Sequence, residues 1–266
     1  MINIIKSLNY SARREASNWI TIATILVIPL LGMYLMGMIR GDSLQKVTPS
    51  FYFATQMMGI IFMITCLGII ILACNLVAGD GGDKTMNYEI LSGHSRNRIF
   101  AARMLAGFLW GGVSVFLLTL LPLGYLTLAY GWGLETNPRE VLLRSLLAFF
   151  PILRLCIFHM MIASIMRSAG KGIAVGYVAY MVITLGTSAL EELFGMDIIY
   201  QTGMTNAAFL LTSGNSRNVV MDGRTVALYD TRVTSDMIKN TIGVSLAFSA
   251  LYLIIAYINF KKKDRD

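Results

Sequence analysis

The chain has 266 residues, of which 56% are hydrophobic and 14% charged, with a formal net charge of +7 and a mean hydropathy of +0.64. Soluble domains carry roughly 25% charged residues, so a chain this apolar and this short is excluded as an ordinary soluble globule. The positive balance does not point to nucleic acid, because the basic residues are scattered at the ends of apolar runs and no soluble basic domain is present to hold a duplex.

Residues 1–18 open the chain with moderate amphipathic character. Ile2, Ile5, Leu8 and Ala12 can share a helix face, with Lys6, Arg13 and Arg14 elsewhere. This segment reads as a cytoplasmic elbow lying along the inner leaflet, or alternatively as a polar tail. The first apolar run, 19–39, follows this polar start and is too long for a signal-peptide core, so an uncleaved first span is expected. Pro29 is placed to kink it.

A second span is expected over 51–78, longer than the roughly 20 residues a bilayer needs. Further spans are expected over 99–130, 142–166, 172–190 and 238–260. The runs are continuous and do not alternate in ten-residue segments, which favours helices over a barrel. The fold class is therefore an all-α polytopic membrane protein, a single transmembrane domain of six helices over 1–266. The polar segment 191–237 is its largest external loop.

Thirteen Lys and Arg fall on the side of the N-terminus, the 79–98 segment, the 167–171 turn and the C-terminal tail, against eight on the other side. This asymmetry puts both termini on the cytoplasmic side of the membrane. Cys66, Cys74 and Cys156 all lie inside apolar runs, where they read as small hydrophobes, and neither they nor His94 and His159 have zinc spacing. No internal repeat is visible.

The most informative polar piece is 79–98. Gly79, Gly81 and Gly82 permit a reversal, Asp80 or Asp83 can cap a helix, and that helix would run through Lys84, Thr85, Met86, Tyr88 and Glu89 to Leu91. Its mixed surface suits docking into a groove on a soluble partner, or contact with headgroups alone. Asp83 precedes Lys84 where a P-loop needs Gly, so this chain is not expected to bind ATP itself.

Taken together, the elbow, six spans with both ends inside, the capped helix before SRNRIFAARML and the large loop between spans five and six resemble a permease subunit of the ABC-2 type of ATP-binding-cassette transporters. The small size resembles the exporters of antimicrobial or cytolytic peptides and their immunity systems, such as phenol-soluble-modulin exporters. The resemblance implies that Asp83, Lys84, Thr85, Met86, Tyr88 and Glu89 form a coupling helix that meets a separate cytosolic ATPase subunit, which would bind ATP and Mg. It also implies a second copy of this or a related permease. Family members often carry Glu just after span two, where this chain has Asp80 and Asp83.

Arg154 lies near the middle of span four, where a charge costs at least a few kcal/mol and must face protein or water. With His159, Gln56 and Asn75 it could line a cargo path or anchor an acidic group. Alternatively it makes a structural bond to Gln56, Thr65 or Asn75, or to backbone freed near Pro151. Gly107-x-x-x-Gly111 and Gly172-x-x-x-Gly176, with Ala179, allow close helix contact. By the resemblance, the second motif is expected at a dimer seam, with packing inside one subunit as the alternative. The methionines, Met33, Met36, Met57, Met58, Met160 and Met161 among them, read chiefly as packing or lipid-facing groups.

The expected function is a non-catalytic permease subunit of an ATP-driven exporter of amphipathic or hydrophobic cargo, such as a peptide, surrounded by lipid. The rivals are an intramembrane enzyme, such as a protease using His159 and Glu191–Glu192, and a non-transporting sensor or regulatory subunit.

Overall fold

The computed structural model describes residues 2–39, 48–55, 57–78, 93–166, 168–195, 199–214, 216–221 and 224–262. The chain is mostly helical. Among the described residues, five helices are long and apolar enough to cross a membrane, Met58–Ala78, Arg96–Tyr130, Pro138–Met166, Ala169–Phe194 and Ser235–Lys261, and the bent pair over 2–32 makes six if it is one span.

The first two helices, α1 (Ile2–Arg14) and α2 (Ala16–Ile39), meet at a bend of 70°. The buried face of α1 is Ile4, Leu8 and Ala12, one residue per turn; Ile4 and Leu8 pack with Ile99, Ala102, Ala106 and Phe260, while Ile2 is exposed. Its partner is α5 (Arg96–Gly107). Asn18 locks the bend from α2. Its Nδ2 donates to Ala12 O at 3.1 Å, and its Oδ1 accepts from Asn75 Nδ2 at 2.9 Å. Trp19 Nε1 donates to Arg13 O at 2.6 Å, and the Trp19 ring meets Trp110 edge to face.

The apolar run expected as one span over 51–78 is divided in two. A short helix α3 (Pro49–Ala54) has Thr48 as its N-cap and proline in its first turn, and it ends at Thr55. The longer α4 (Met57–Ala78) follows. Tertiary contacts hold α3 where it is: Ser50 N donates to Trp132 O at 2.9 Å, and Thr136 N donates to Ser50 Oγ at 2.6 Å.

The third long helix is α5, a π-helical segment Phe108–Val113, then α6 (Ser114–Tyr130). The wider π turn coincides with two glycines against the core, a common setting for such bulges. A Cβ on Gly111 would lie 3.2 Å from Cys156 Sγ and 3.4 Å from Ala73 Cβ, so Gly107-x-x-x-Gly111 serves packing within the chain. Next come α7 (Pro138–Leu147) and α8 (Phe149–Met166), broken only at Ala148. Then α9 (Ala169–Phe194) ends on Gly195, a left-handed cap at φ 62°.

At the centre stands α4, whose Phe62, Cys66, Ile69 and Ala73 are fully buried among α2, α8, α9 and the π segment. The last helix, α11 (Ser235–Lys262), packs chiefly on α8. Its buried stripe is Thr241, Ser245 and Ser249, small residues at i, i+4 and i+8 that allow close approach.

The connector between α9 and α11 departs from the sequence expectation. The sequence predicts a polar external loop over 191–237. Helix α9 instead runs through Phe194, and 199–211 fold into the bundle. A 3-10 turn (Ile199–Gln201) leads to α10 (Gly203–Leu210), whose Met204, Asn206, Ala207 and Leu210 are buried against α8 and α4. The reason is composition: this stretch alternates too few charges with too many apolar residues to stay in water. The chain then leaves the bundle as an antiparallel hairpin, β1 (Ser216–Met221) with β2 (Arg224–Tyr229), register Ser216↔Tyr229 to Met221↔Arg224. The fold thus carries one small sheet beside its helices. The hairpin is anchored where Tyr229 N donates to Glu135 O at 2.9 Å.

Candidate functional site

The site starts from Arg154, a guanidinium on a helix of otherwise apolar residues. Phe149–Met166 offers it no neighbouring carboxylate, so it must be satisfied from other elements. It is 2% exposed. Its Nη1 donates to Tyr200 O at 3.0 Å, and its Cζ stands 5.3 Å from the Phe248 ring centroid. Its Nη2 has no partner, and no carboxylate among the described residues pairs with it. Phe248 lies at the midpoint of α11, which sets the arginine at mid-height in the bundle.

The carbonyl it binds belongs to the connector. Non-helical backbone at this depth requires a donor inside the protein, since lipid supplies none. Gly203 lets the connector come close: a Cβ there would lie 2.9 Å from Pro151 O and 3.2 Å from Arg154 Nε.

His159 lies five residues further along α8. Its ring contacts Phe158 edge to face, and neither ring nitrogen has a partner. Arg154 and His159 both border one cleft, together with Phe158, Tyr180, Ile183, Gln201, Gly203 and Tyr252. Its water-accessible interior is about 60 Å³. Helices α9 and α11 both pack on α8 but make little contact with each other. The cleft is the gap between them, roofed by the connector. Among the described residues, no acidic side chain lines it.

The other residues singled out from the sequence are dispersed. Asn75 is not in the cleft. Its Nδ2 donates to Asn18 Oδ1 and, at 3.0 Å, to Ser17 Oγ, so it belongs to the elbow latch. Thr65 bonds its own helix at Phe62 O. Arg154 therefore uses neither of them and uses the connector's backbone instead. Gln56, and Asp83, Lys84, Thr85, Met86, Tyr88 and Glu89, lie outside the described residues.

The expected seam at Gly172, Gly176 and Ala179 is corrected. Gly172 and Gly176 are buried inside the chain. A Cβ on Gly172 would lie 3.4 Å from Ala163 Cα and from Cys74 Sγ, and one on Gly176 would lie 3.1 Å from His159 Nδ1. That face of α9 is already covered by α8 and α4, so it cannot also meet a second subunit. Ala179 is half-buried. Glu191 and Glu192 are exposed at the far end of α9, about 22 Å along the helix axis from Gly176, which touches His159. The groups invoked for an intramembrane enzyme do not come together.

No match is found among protein-family models, curated proteins or solved structures.

Several cleft residues carry no sequence signal of their own. Tyr180 is one: its hydroxyl donates to Met63 O and accepts from Cys66 Sγ, both at 3.0 Å. Gln201 and Gly203 lay in what reads as a loop. A signal did exist on α11, where Thr241, Ser245 and Ser249 recur at helical spacing in an apolar span, and all three hydroxyls are buried without partners. Arg144, on α7, is a second buried arginine. Its Nη2 donates to Phe209 O at 2.9 Å, and it stacks on the Phe209 ring.

Proposed function

We propose that this chain is the membrane-spanning permease subunit of an ATP-driven exporter, moving amphipathic or hydrophobic cargo, such as a peptide, out of a bacterial cell. One observation carries the reading: a cleft at mid-height holds a buried cation with no carboxylate partner among the described residues, and it opens sideways between two helices that make little contact with each other. A purely structural bundle has no use for such a gap, whereas a path for cargo between lipid and protein requires one.

Two further features support it. In this reading α2 is a sixth span, and α1 is an elbow along the inner leaflet, with Trp19 and Trp110 in the aromatic belt. Asn75, near the end of α4, bonds Ser17 and Asn18 at the start of α2, and Asn97, at the start of α5, accepts from Tyr257 near the end of α11, so the helix ends that flank 79–92 lie on the side where α2 begins and α11 ends. That side is the cytoplasm by the Lys and Arg asymmetry. There Asp83, Lys84, Thr85, Met86, Tyr88 and Glu89 meet a cytosolic ATPase that carries ATP and Mg, and a second permease copy completes the assembly. ATP drives the cycle only by binding the two permease states with different affinity.

The test is copurification. A tagged chain is expected to bring down an ATPase, and Tyr88→Ala with Glu89→Ala to release it. Retention by the double variant, or labelling of residues 83–91 from outside the cell, overturns the coupling surface.

A further inference from the structure

We propose that the cleft between α8, α9 and α11 binds the anionic head of an amphiphile, a carboxylate or phosphate borne on an apolar chain, and that this is the chemical class of the cargo. The assignment to cargo rests on the permease reading; the binding site does not.

The charge argument comes first. Arg154 is 2% exposed, and only one of its terminal nitrogens is used. A buried cation left half-satisfied is costly, and an oxyanion is the group whose geometry matches a guanidinium. The other walls add donors. His159, whichever nitrogen carries hydrogen, presents an N–H with no acceptor. Thr202, Gly203 and Met204 bring the N-terminus of α10, the positive end of its dipole, to the same wall. Among the described residues no carboxylate lines this wall to balance them.

Shape and depth narrow the ligand. The water-accessible interior of about 60 Å³ has room for about four waters, or for one carboxylate or phosphate head. Phe158, Ile183 and Met204 supply apolar wall beside the polar floor. Ile183 is 39% exposed, which puts it at the mouth, and a ligand's chain would leave past it between α9 and α11. The hydrocarbon core is about 30 Å thick, so this height is about 15 Å from either interface. A resident lipid keeps its head at the interface. An anionic head at mid-height belongs to a molecule that has left one leaflet and not reached the other.

The experiment measures equilibrium binding to the purified chain in zwitterionic phosphatidylcholine nanodiscs. The probes are dodecanoate, dodecyl phosphate, dodecanol and dodecyltrimethylammonium, with chloride and inorganic phosphate as competitors. Dodecanoate and dodecyl phosphate are expected to bind, and the neutral and cationic probes to bind about ten- to a hundredfold more weakly, the span of one or two charge-assisted bonds. Arg154→Gln is expected to abolish the preference. Because that variant also loses the bond to Tyr200, Ile183→Trp provides a second arm: it fills the mouth, leaves Arg154 in place, and is expected to lose dodecanoate binding with an unchanged melting temperature. Equal binding of dodecanol and dodecanoate overturns the proposal. So does full displacement by inorganic anions at matched concentration, or wild-type binding in folded Arg154→Gln or Ile183→Trp. Failure of the two readings is separable. If dodecanoate binds but the complex with its ATPase exports no amphiphile, the anion site stands and the permease reading falls. If export proceeds and the cleft variants export as wild type, the anion site falls and the permease reading stands.

Discussion

Gly203→Ala tests the re-entrant connector directly. The added Cβ would lie 2.9 Å from Pro151 O, 3.2 Å from Arg154 Nε and 3.4 Å from Leu155 N. Two of these three are backbone atoms of α8, which cannot swing aside. A comfortable carbon contact needs about 3.5 Å, so the connector must retreat by about half an ångström. Overpacking of this kind costs about 1–3 kcal/mol. The retreat also stretches the Arg154–Tyr200 bond, now 3.0 Å, which is charge-assisted and among the stronger ones in the chain. Gly203 is the first residue of α10, so the mid-helix advantage of alanine over glycine, about 0.5–1 kcal/mol, offsets this only in part. The net is a destabilisation of about 2 kcal/mol. For a chain of this size that lowers Tm by about 4–8 °C. Gly172→Ala is the internal control: its Cβ meets Ala163 Cα and Cys74 Sγ at an ordinary 3.4 Å, so it should melt at or slightly above wild type. Both are measured by thermal unfolding in one detergent. If Gly203→Ala melts with the wild type, 199–211 do not pack on α8 and the roof of the cleft is lost.

Asn18→Leu removes the link among α1, α2 and α4, leaving the Ala12 carbonyl and Asn75 amide short of a partner; we expect a cost of about 1–3 kcal/mol and faster hydrogen exchange at residues 10–16. Unchanged exchange there would show that the latch is not what holds the elbow. Tyr180→Phe loses the bonds to Met63 O and Cys66 Sγ and should cost about 1 kcal/mol, a fall of about 2–4 °C in Tm; no fall would mean that the hydroxyl finds water in the cleft. With Trp110 and Trp132 replaced by Phe, Trp19 fluorescence should be quenched more by lipids brominated near the headgroup than by lipids brominated near the chain end. The reverse order would place the elbow away from the interface.

What the sequence showed and what it hid divide along range. The apolar runs show helices because a bilayer demands long continuous hydrophobicity. The amphipathic pattern of the first segment shows that α1 forms, because that periodicity is local, but its face is Ile4, Leu8 and Ala12, and Ile2, expected there, is exposed. Arg154 stands out because its cost is intrinsic to its position. Its partner does not stand out, because Tyr200 lies 46 positions away in a segment whose polarity suggested water. Gly172 and Gly176 illustrate the same limit. Two glycines four apart state that some helix comes close, and only the packing of α8 and α4 against them states which one. The break at Thr55 was hidden for a third reason: Thr48, Pro49 and Thr55 are ordinary cap residues, but a cap takes effect only where the rest of the fold turns the chain.

The connector ties these points into one mechanical argument. Helices α9 and α11 are both largely exposed along their apolar windows; α9 leans on α4 and α8, and α11 chiefly on α8, so their outer faces are left to lipid. Little side contact opposes their separation or approach. What spans the gap is the connector, joined covalently to both helices and pinned to α8 through Arg154 and to α7 through Arg144. A movement of α9 against α11 that carries 199–211 with it strains or releases those two arginine–carbonyl bonds. An oxyanion that took over Arg154 would compete with the Tyr200 carbonyl for it. Ligand binding and the grip of the roof are in that way coupled through one guanidinium, and the coupling free energy is bounded by the strength of the bond exchanged, about 1.5–3 kcal/mol.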